Sequence, residues 1–224
     1  VKVRAGDELS LSASKNGCRA YLAVAGGFDI PEVMGSRSTN LKCSLGGFEG
    51  RRLIAGDEIP LRRPRGEIPG LSKRRYKNDD IDGMNAVVRV VLGPQDDYFD
   101  KSGIETFLKE VYTVTGDSDR MGIKFEGMPI ESKSGVDIIS EGIAFGGVQI
   151  PSSGKPIIMM ADRQTTGGYA KIATVIGADL PKLAQIKPSG KVCFVSVCIE
   201  TAQKLSVDEK NKLEKLKKRF AKLK

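Results

Sequence analysis

Residues 85–92, Asn-Ala-Val-Val-Arg-Val-Val-Leu, form an almost unbroken β-branched run that Gly93-Pro94 halts. Such a run suits a pleated surface and reads as a buried strand. The other apolar runs are equally short, with strands expected at residues 112–115, 122–126, 157–161, 172–176 and 192–200 and glycines and prolines between them. Many short strands separated by turn signals fit a β-barrel or sandwich. At 224 residues and 40% hydrophobic, the chain can bury the core of one large domain or two small ones.

Upstream, residues 18–25 read as a strand that stops at Gly26-Gly27, and Gly46-Gly47, Gly50 and Gly56 punctuate further short extended pieces. Residues 62–83 are polar and basic, contain Pro64 and Pro69 and lack either apolar period, which marks a linker. Two helices are expected. Ser102 and Glu105 form a capping box ahead of Ile104, Phe107, Leu108 and Val111 at i, i+3, i+4 and i+7. Ser206 and Glu209 form a second box, with Leu213, Leu216, Phe220 and Leu223 on one face and lysines over the rest. The second is expected as a solvated terminal helix docked by its narrow stripe, with a coiled-coil or partner helix as the alternative.

The net charge of +8 is local: residues 62–77 carry seven basic residues against one acid, residues 206–224 eight against three, and the remainder is acidic on balance. Neither basic segment interleaves aromatics as a stacking platform for single strands does, so no nucleic-acid partner is expected. No apolar run can span a bilayer and residues 1–11 show no basic-then-apolar leader, so neither membrane insertion nor secretion is indicated and the cytoplasm is expected. Cys18, Cys43, Cys193 and Cys198 contain no CxxC pair and are expected as reduced core thiols. Histidine is absent, which removes the commonest general base and zinc ligand from the residues shown, and no metal constellation is evident.

Residues 161–171, Ala-Asp-Arg-Gln-Thr-Thr-Gly-Gly-Tyr-Ala-Lys, follow the apolar run 156–160 and concentrate charge, hydroxyls and close-approaching backbone. Arg163 can hold a carboxylate or phosphate bidentately, Gln164, Thr165 and Thr166 offer polar side chains, and Gly167-Gly168 lets backbone N–H groups face an anion. Asp162 and Tyr169 are acid/base candidates, and Lys171 is a charge able to stabilise a carboxylate or tetrahedral oxyanion. The bland alternative is a strand end and tight turn bonding its own backbone. Arg37, Ser38 and Thr39 offer a second anion cradle, with an Arg-anchored loop as the alternative. Gln149 could point an amide into a cleft or be a satisfied strand end. Residues 119–122, Asp-Arg-Met-Gly, read as a turn with an Arg–Asp pair.

Seven phrases occur in order: residues 20–27, Ala-Tyr-Leu-Ala-Val-Ala-Gly-Gly; 35–39, Gly-Ser-Arg-Ser-Thr; 45–50, Leu-Gly-Gly-Phe-Glu-Gly; 93–95, Gly-Pro-Gln; 119–122; 140–143, Ser-Glu-Gly-Ile; and 161–171. Together they resemble the family of the 5-oxoprolinase C component, also called allophanate hydrolase subunit 2 or the A/B part of a biotin-dependent carboxyltransferase domain, over about residues 1–203. The resemblance implies a mainly β chain with few helices: tandem cyclophilin-like β-barrels, the first incomplete because family members carry a portion before the point equivalent to Val1. The implied division is 1–72 for the end of the first barrel and linker, 73–205 for the second barrel, and 206–224 for the basic helix. It implies one component of an ATP-dependent 5-oxoprolinase complex that opens a lactam to glutamate. Homologues of the A and B components of that complex would be partners, a small carboxylate or amide the substrate, and ATP with Mg²⁺ would be bound by or shared with those partners. Two alternatives accompany it: the carboxyltransferase component of a urea carboxylase-like enzyme with biotin on another chain, or a non-catalytic regulator that binds the B-component homologue as a kinase-inhibitor antagonist.

Overall fold

The β-branched run is β1 (Asn85–Leu92), the strand on which a barrel closes. In the computed structural model, which describes residues 1–63, 68–76 and 81–223, β1 runs parallel to β9 (Lys191–Ser196) from Asn85↔Lys191 to Val90↔Ser196. It runs antiparallel to β8 (Lys171–Val175) at Val90↔Val175. The circuit is completed by β2 (Tyr112–Val114), β3 (Gly122–Glu126), β5 (Gly147–Gln149) and β6 (Ile157–Met159), in the order β1-β8-β5-β6-β3-β2-β9. A separate two-stranded sheet pairs β4 (Asp137–Gly142) with β7 (Thr166–Tyr169). The protein is thus mainly β, with one closed barrel of seven strands among the described residues. Closure leaves no unpaired edge within the circuit.

Alternate residues of three strands fill the barrel: Val88 and Val90 of β1, Ile123 and Phe125 of β3, and Val192 and Phe194 of β9 are all buried. Four rings meet in the core. Phe107 stacks on Phe194 at 4.5 Å, Tyr112 tilts against Phe194 at 5.7 Å, and Phe125 stands edge-on to Phe194 at 6.1 Å. Burial pushes the Tyr112 hydroxyl far above its ordinary pKa, so it stays protonated.

Phe107 comes from α1 (Lys101–Lys109), whose N-cap is Asp100, not the expected Ser102. The Asp100 carboxylate accepts from Gly103 N at 2.8 Å and from the Ser102 hydroxyl at 2.9 Å. A full negative charge at the helix N-terminus outcompetes a hydroxyl nearer the helix interior. The last helix, α3 (Ile199–Ala221), also starts before its expected capping box: Ser206 lies in its interior and residues 199–200 are helical, not strand. Residues 199–205 hold no glycine or proline, so nothing stops the helix from nucleating at the end of β9.

A short helix, α2 (Leu180–Gln185), is tied to β1 through Asp179. That fully buried carboxylate accepts from Arg89 N at 2.8 Å, Arg89 Nε at 2.8 Å and Arg89 Nη2 at 2.7 Å, and pairs with Lys182 Nζ at 2.8 Å. Burial alone would push its pKa up; the Arg89 and Lys182 bonds outweigh it and hold the group at about 2.

The chain divides into two units, one gathering Ala20–Arg75 and the other Arg4–Arg19 with Tyr76–Lys222. In the smaller unit the strand expected at 18–25 is not formed, and the described pairings are the isolated bridges Phe28↔Leu61, Val33↔Ser36 and Asn40↔Leu45. Tyr21 and Leu22 stand exposed, and a strand without a neighbour to complete its ladder gains too little to form. Arg51 braces this unit, donating to both oxygens of Asp57 at 2.9 Å. Of the expected linker, residues 64–67 and 77–80 lie outside the described residues, and Leu71–Lys73 is one 3-10 turn. The cysteines are free thiols, as expected, but they are not core residues: Cys18, Cys43 and Cys198 are exposed and Cys193 is half-buried. No helix among the described residues is long and apolar enough to cross a membrane.

Candidate functional site

The polar stretch that ends the 157–161 run folds as a strand leading straight into the barrel wall. After Asp162 and Arg163, β7 begins at Thr166, and only Ala170 separates it from β8. The glycine pair is extended and not the tight turn of the bland alternative, with Gly167 opposite Glu141 and Thr166 opposite Gly142 in the β4–β7 ladder. The ladder shifts register between Asp137 and Glu141.

Gly167 is required by close approach. A Cβ there would lie 2.6 Å from Ile143 Cδ1, 2.9 Å from Gln149 Nε2 and 3.5 Å from Gln164 Nε2. The glycine thus makes room for an amide. Gln149, the last residue of β5, is only 2% exposed, and its Nε2 donates to nothing among the described residues. Buried polar groups are ordinarily hydrogen-bonded, and among the described residues Gln149 Nε2 and Lys171 Nζ are the buried side-chain atoms without such a bond, the lysine being held by its ion pair alone.

Gln149 faces Lys171 across the β5–β8 ladder, where a β-bulge shifts the register. Lys171, the first residue of β8, is equally buried, and its Nζ lies 2.7 Å from Glu141 Oε1. Glu141 Oε1 also accepts from Gln95 Nε2 at 2.6 Å. Gln95 brackets the lysine backbone as well, its Oε1 accepting from Lys171 N at 3.1 Å and its own N donating to Lys171 O at 3.0 Å. The Lys171 ammonium, then the Gln95 amide, hold the Glu141 carboxyl below its ordinary pKa, so it is ionised at neutral pH.

Sequence reasoning placed Gln149 and Lys171 in the site and missed Gln95 and Glu141, although both lie in the phrases 93–95 and 140–143 that carried the family resemblance. The other expected residues have other surroundings. Arg163 donates through Nε to Ile143 O at 2.9 Å and through Nη1 to Met160 O at 3.3 Å, and lies over the Phe145 ring. Asp162 is bound bidentately by Arg120, Nε to Oδ2 at 2.7 Å and Nη2 to Oδ1 at 2.9 Å. The Arg–Asp pair read in residues 119–122 therefore joins Arg120 to Asp162, while Asp119 caps its own turn by accepting from Met121 N and Gly122 N. Gln164, Thr165, Thr166 and Tyr169 are exposed; Gly168 is half-buried on β7. Arg37, Ser38 and Thr39 belong to the smaller unit, where Arg37 donates to Ile30 O at 3.1 Å and pairs with Glu32 at 3.0 Å. Among the described residues no group of three or more His, Cys, Asp or Glu could hold a metal ion.

What the barrel end provides is a buried cation, a buried amide donor and a half-exposed carboxylate. In a low-dielectric wall the first two suit an oxyanion or a polarised carbonyl oxygen far better than they would in water. Because the atoms nearest a Gly167 Cβ are movable side-chain ends, Gly167→Ala is expected to destabilise the fold by only about 1 kcal/mol, a fall of a few degrees in Tm. It is expected to displace the Gln149 amide, seen as a shift of its side-chain NH₂ resonances in a ¹⁵N correlation spectrum.

The chain belongs to the family of carboxyltransferase domains, subdomain A and B, whose model matches residues 1–196. It is similar to the C component of 5-oxoprolinase from Escherichia coli (strain K12), with 37% identity over 96% of this chain and 68% of that protein. The Haemophilus influenzae protein of the same name is 39% identical over 91% of this chain, which spans 64% of that relative's length. Among solved structures, the urea amidolyase of K. lactis matches with a TM-score of 0.79 and 26% identity over 90% of this chain and 13% of that one. These likenesses agree with the family read from the seven phrases and with a mainly β barrel.

Proposed function

We propose that this chain is the C component of an ATP-dependent 5-oxoprolinase, a lactam hydrolase active when assembled with homologues of the A and B components in the cytoplasm. The observation that carries this reading is the buried Lys171 ammonium beside the orphaned Gln149 amide at the end of the barrel. A fixed cation suits the carboxylate of 5-oxoproline and a fixed N–H donor its lactam oxygen, so together they orient the ring for reaction without reorganising water. The names of the relatives at 37% and 39% identity support the same reading. ATP, as its Mg²⁺ complex, supplies the phosphoryl group that activates the lactam and is bound by or shared with the partner proteins. The residues of this chain bind and orient the small substrate.

The test is glutamate release from 5-oxoproline, ATP and Mg²⁺ by the full-length gene product assembled with its A and B homologues. ATP-dependent release is expected. A well-assembled complex that releases none sinks the reading. The likeness to urea amidolyase favours a second function, biotin-dependent carboxyl transfer to a urea-like amide with the biotin on another chain. That reading predicts that avidin abolishes the activity, whereas lactam hydrolysis is indifferent to avidin.

A further inference from the structure

The Lys171–Glu141 pair is unequal. The Lys171 side chain is 3% exposed and fixed in the barrel wall, whereas the Glu141 side chain is 45% exposed and rides on the two-stranded β4–β7 sheet. Breaking the pair by moving Glu141 returns a carboxylate to water at small cost, while the lysine cannot follow it. A buried ammonium left behind demands another anion. Glu141 also sits where the β4–β7 register shifts, the kind of irregularity that re-aims a side chain. Its remaining contact is the Gln95 amide, whose other atom is committed to the Lys171 backbone and so stays in place when the carboxylate leaves.

Gln149 faces Lys171 across the β5–β8 ladder, and its Nε2 is a donor with no acceptor among the described residues. Opposed Cβ atoms across a ladder are about 5 Å apart, so both side chains leave one patch of the wall, a span that suits a small molecule carrying a carboxylate and a carbonyl oxygen.

We propose that Glu141 is an exchangeable counter-ion. A compact ligand bearing both a carboxylate and an amide or lactam oxygen enters the barrel end, its carboxylate replaces Glu141 on Lys171 Nζ, and its amide oxygen accepts from Gln149 Nε2. This deepens the oxoprolinase reading and rests on it for the choice of ligand. Glu141 and Gln95 are then specificity residues: in the free protein they occupy the place beside Lys171 and reserve it for an anion. A neutral lactam can satisfy Gln149 but cannot displace a carboxylate.

The test is calorimetric titration of the 224-residue chain with 5-oxoproline and with 2-pyrrolidinone, the same lactam without its carboxylate. The protein is expected to bind 5-oxoproline at least about 10-fold more tightly, the ratio that one charge-assisted contact supplies. Glu141→Gln removes the internal competitor and is expected to tighten 5-oxoproline about 5-fold or more while leaving 2-pyrrolidinone unchanged. Gln149→Met is expected to weaken both ligands about 10-fold. Unchanged or weaker 5-oxoproline binding by folded Glu141→Gln overturns the inference, as does failure of both ligands to bind. Glu141 is half-exposed, so this variant is expected to fold. Glutamate release by the complex alongside unchanged Glu141→Gln affinity overturns the exchange and spares the oxoprolinase function. The expected affinities without release do the reverse.

Discussion

Lys171→Met is expected to lower glutamate release by the assembled complex at least about 100-fold, with Tm unchanged or slightly raised. The rate effect follows from the position of the charge. Lys171, only 2% exposed, holds the substrate's carboxylate at a fixed place in the barrel wall, and losing such an anchor misplaces the lactam against the Gln149 amide, a displacement that costs on the order of 10² in rate. The stability effect has the opposite sign for a separate reason. Holding an ammonium in the barrel wall carries a desolvation penalty that its pair with Glu141 only partly offsets, and exchange of a buried charge for an apolar group of similar length is often neutral or stabilising. Glu141, half-exposed, rehydrates when its partner is removed. Parallel measurement of kcat and Tm therefore separates this role from a structural one. A purely structural lysine would lose Tm and activity together, and a variant that melts normally and turns over normally removes Lys171 from the chemistry.

The parts of this protein that were legible in the sequence are those set by neighbours in the chain. The run ending at Gly93-Pro94 becomes β1 with the bounds its β-branched residues imply, and residues 122–126 become β3. Both strands are buried by their own side chains. The helix ends were less legible because capping is a competition among nearby polar groups: Asp100 displaced Ser102, and α3 ran on through Ser206. The site was legible only in part. Lys171 and Gln149 could be proposed from residue type and flanking glycines, but Glu141 reaches Lys171 only because β4 pairs with β7, a contact no local pattern encodes. For the same reason β4 went unread. Its residues show no clear alternation, since it pairs in a two-stranded sheet and only Ile138 packs against the core. Gly167 illustrates the distinction best. Two adjacent glycines after two threonines signal a turn, yet here the missing Cβ is a requirement of packing against Gln149 and Ile143.

Phe194→Ala is expected to destabilise the protein by about 4 kcal/mol, the largest loss of stability from one substitution that the fold predicts. Phe194 is 1% exposed and central to the ring cluster, in contact with Phe107, Tyr112 and Phe125 together. Its removal leaves a cavity bounded by three other aromatic side chains, which are too rigid to collapse into it, so the transfer and cavity terms both apply. The ring also joins elements that are far apart in sequence. Phe107 belongs to α1, Tyr112 to β2, Phe125 to β3 and Phe194 to β9, the strand that pairs with both β1 and β2 to close the barrel. A domain whose whole stability is on the order of 5–15 kcal/mol has little margin for such a loss. Urea unfolding followed by far-ultraviolet circular dichroism should show the midpoint falling with the slope unchanged. Phe194→Leu keeps most of the volume and is expected to recover more than half of the difference. If Phe194→Ala costs less than about 1 kcal/mol, the ring cluster is not what closes the barrel.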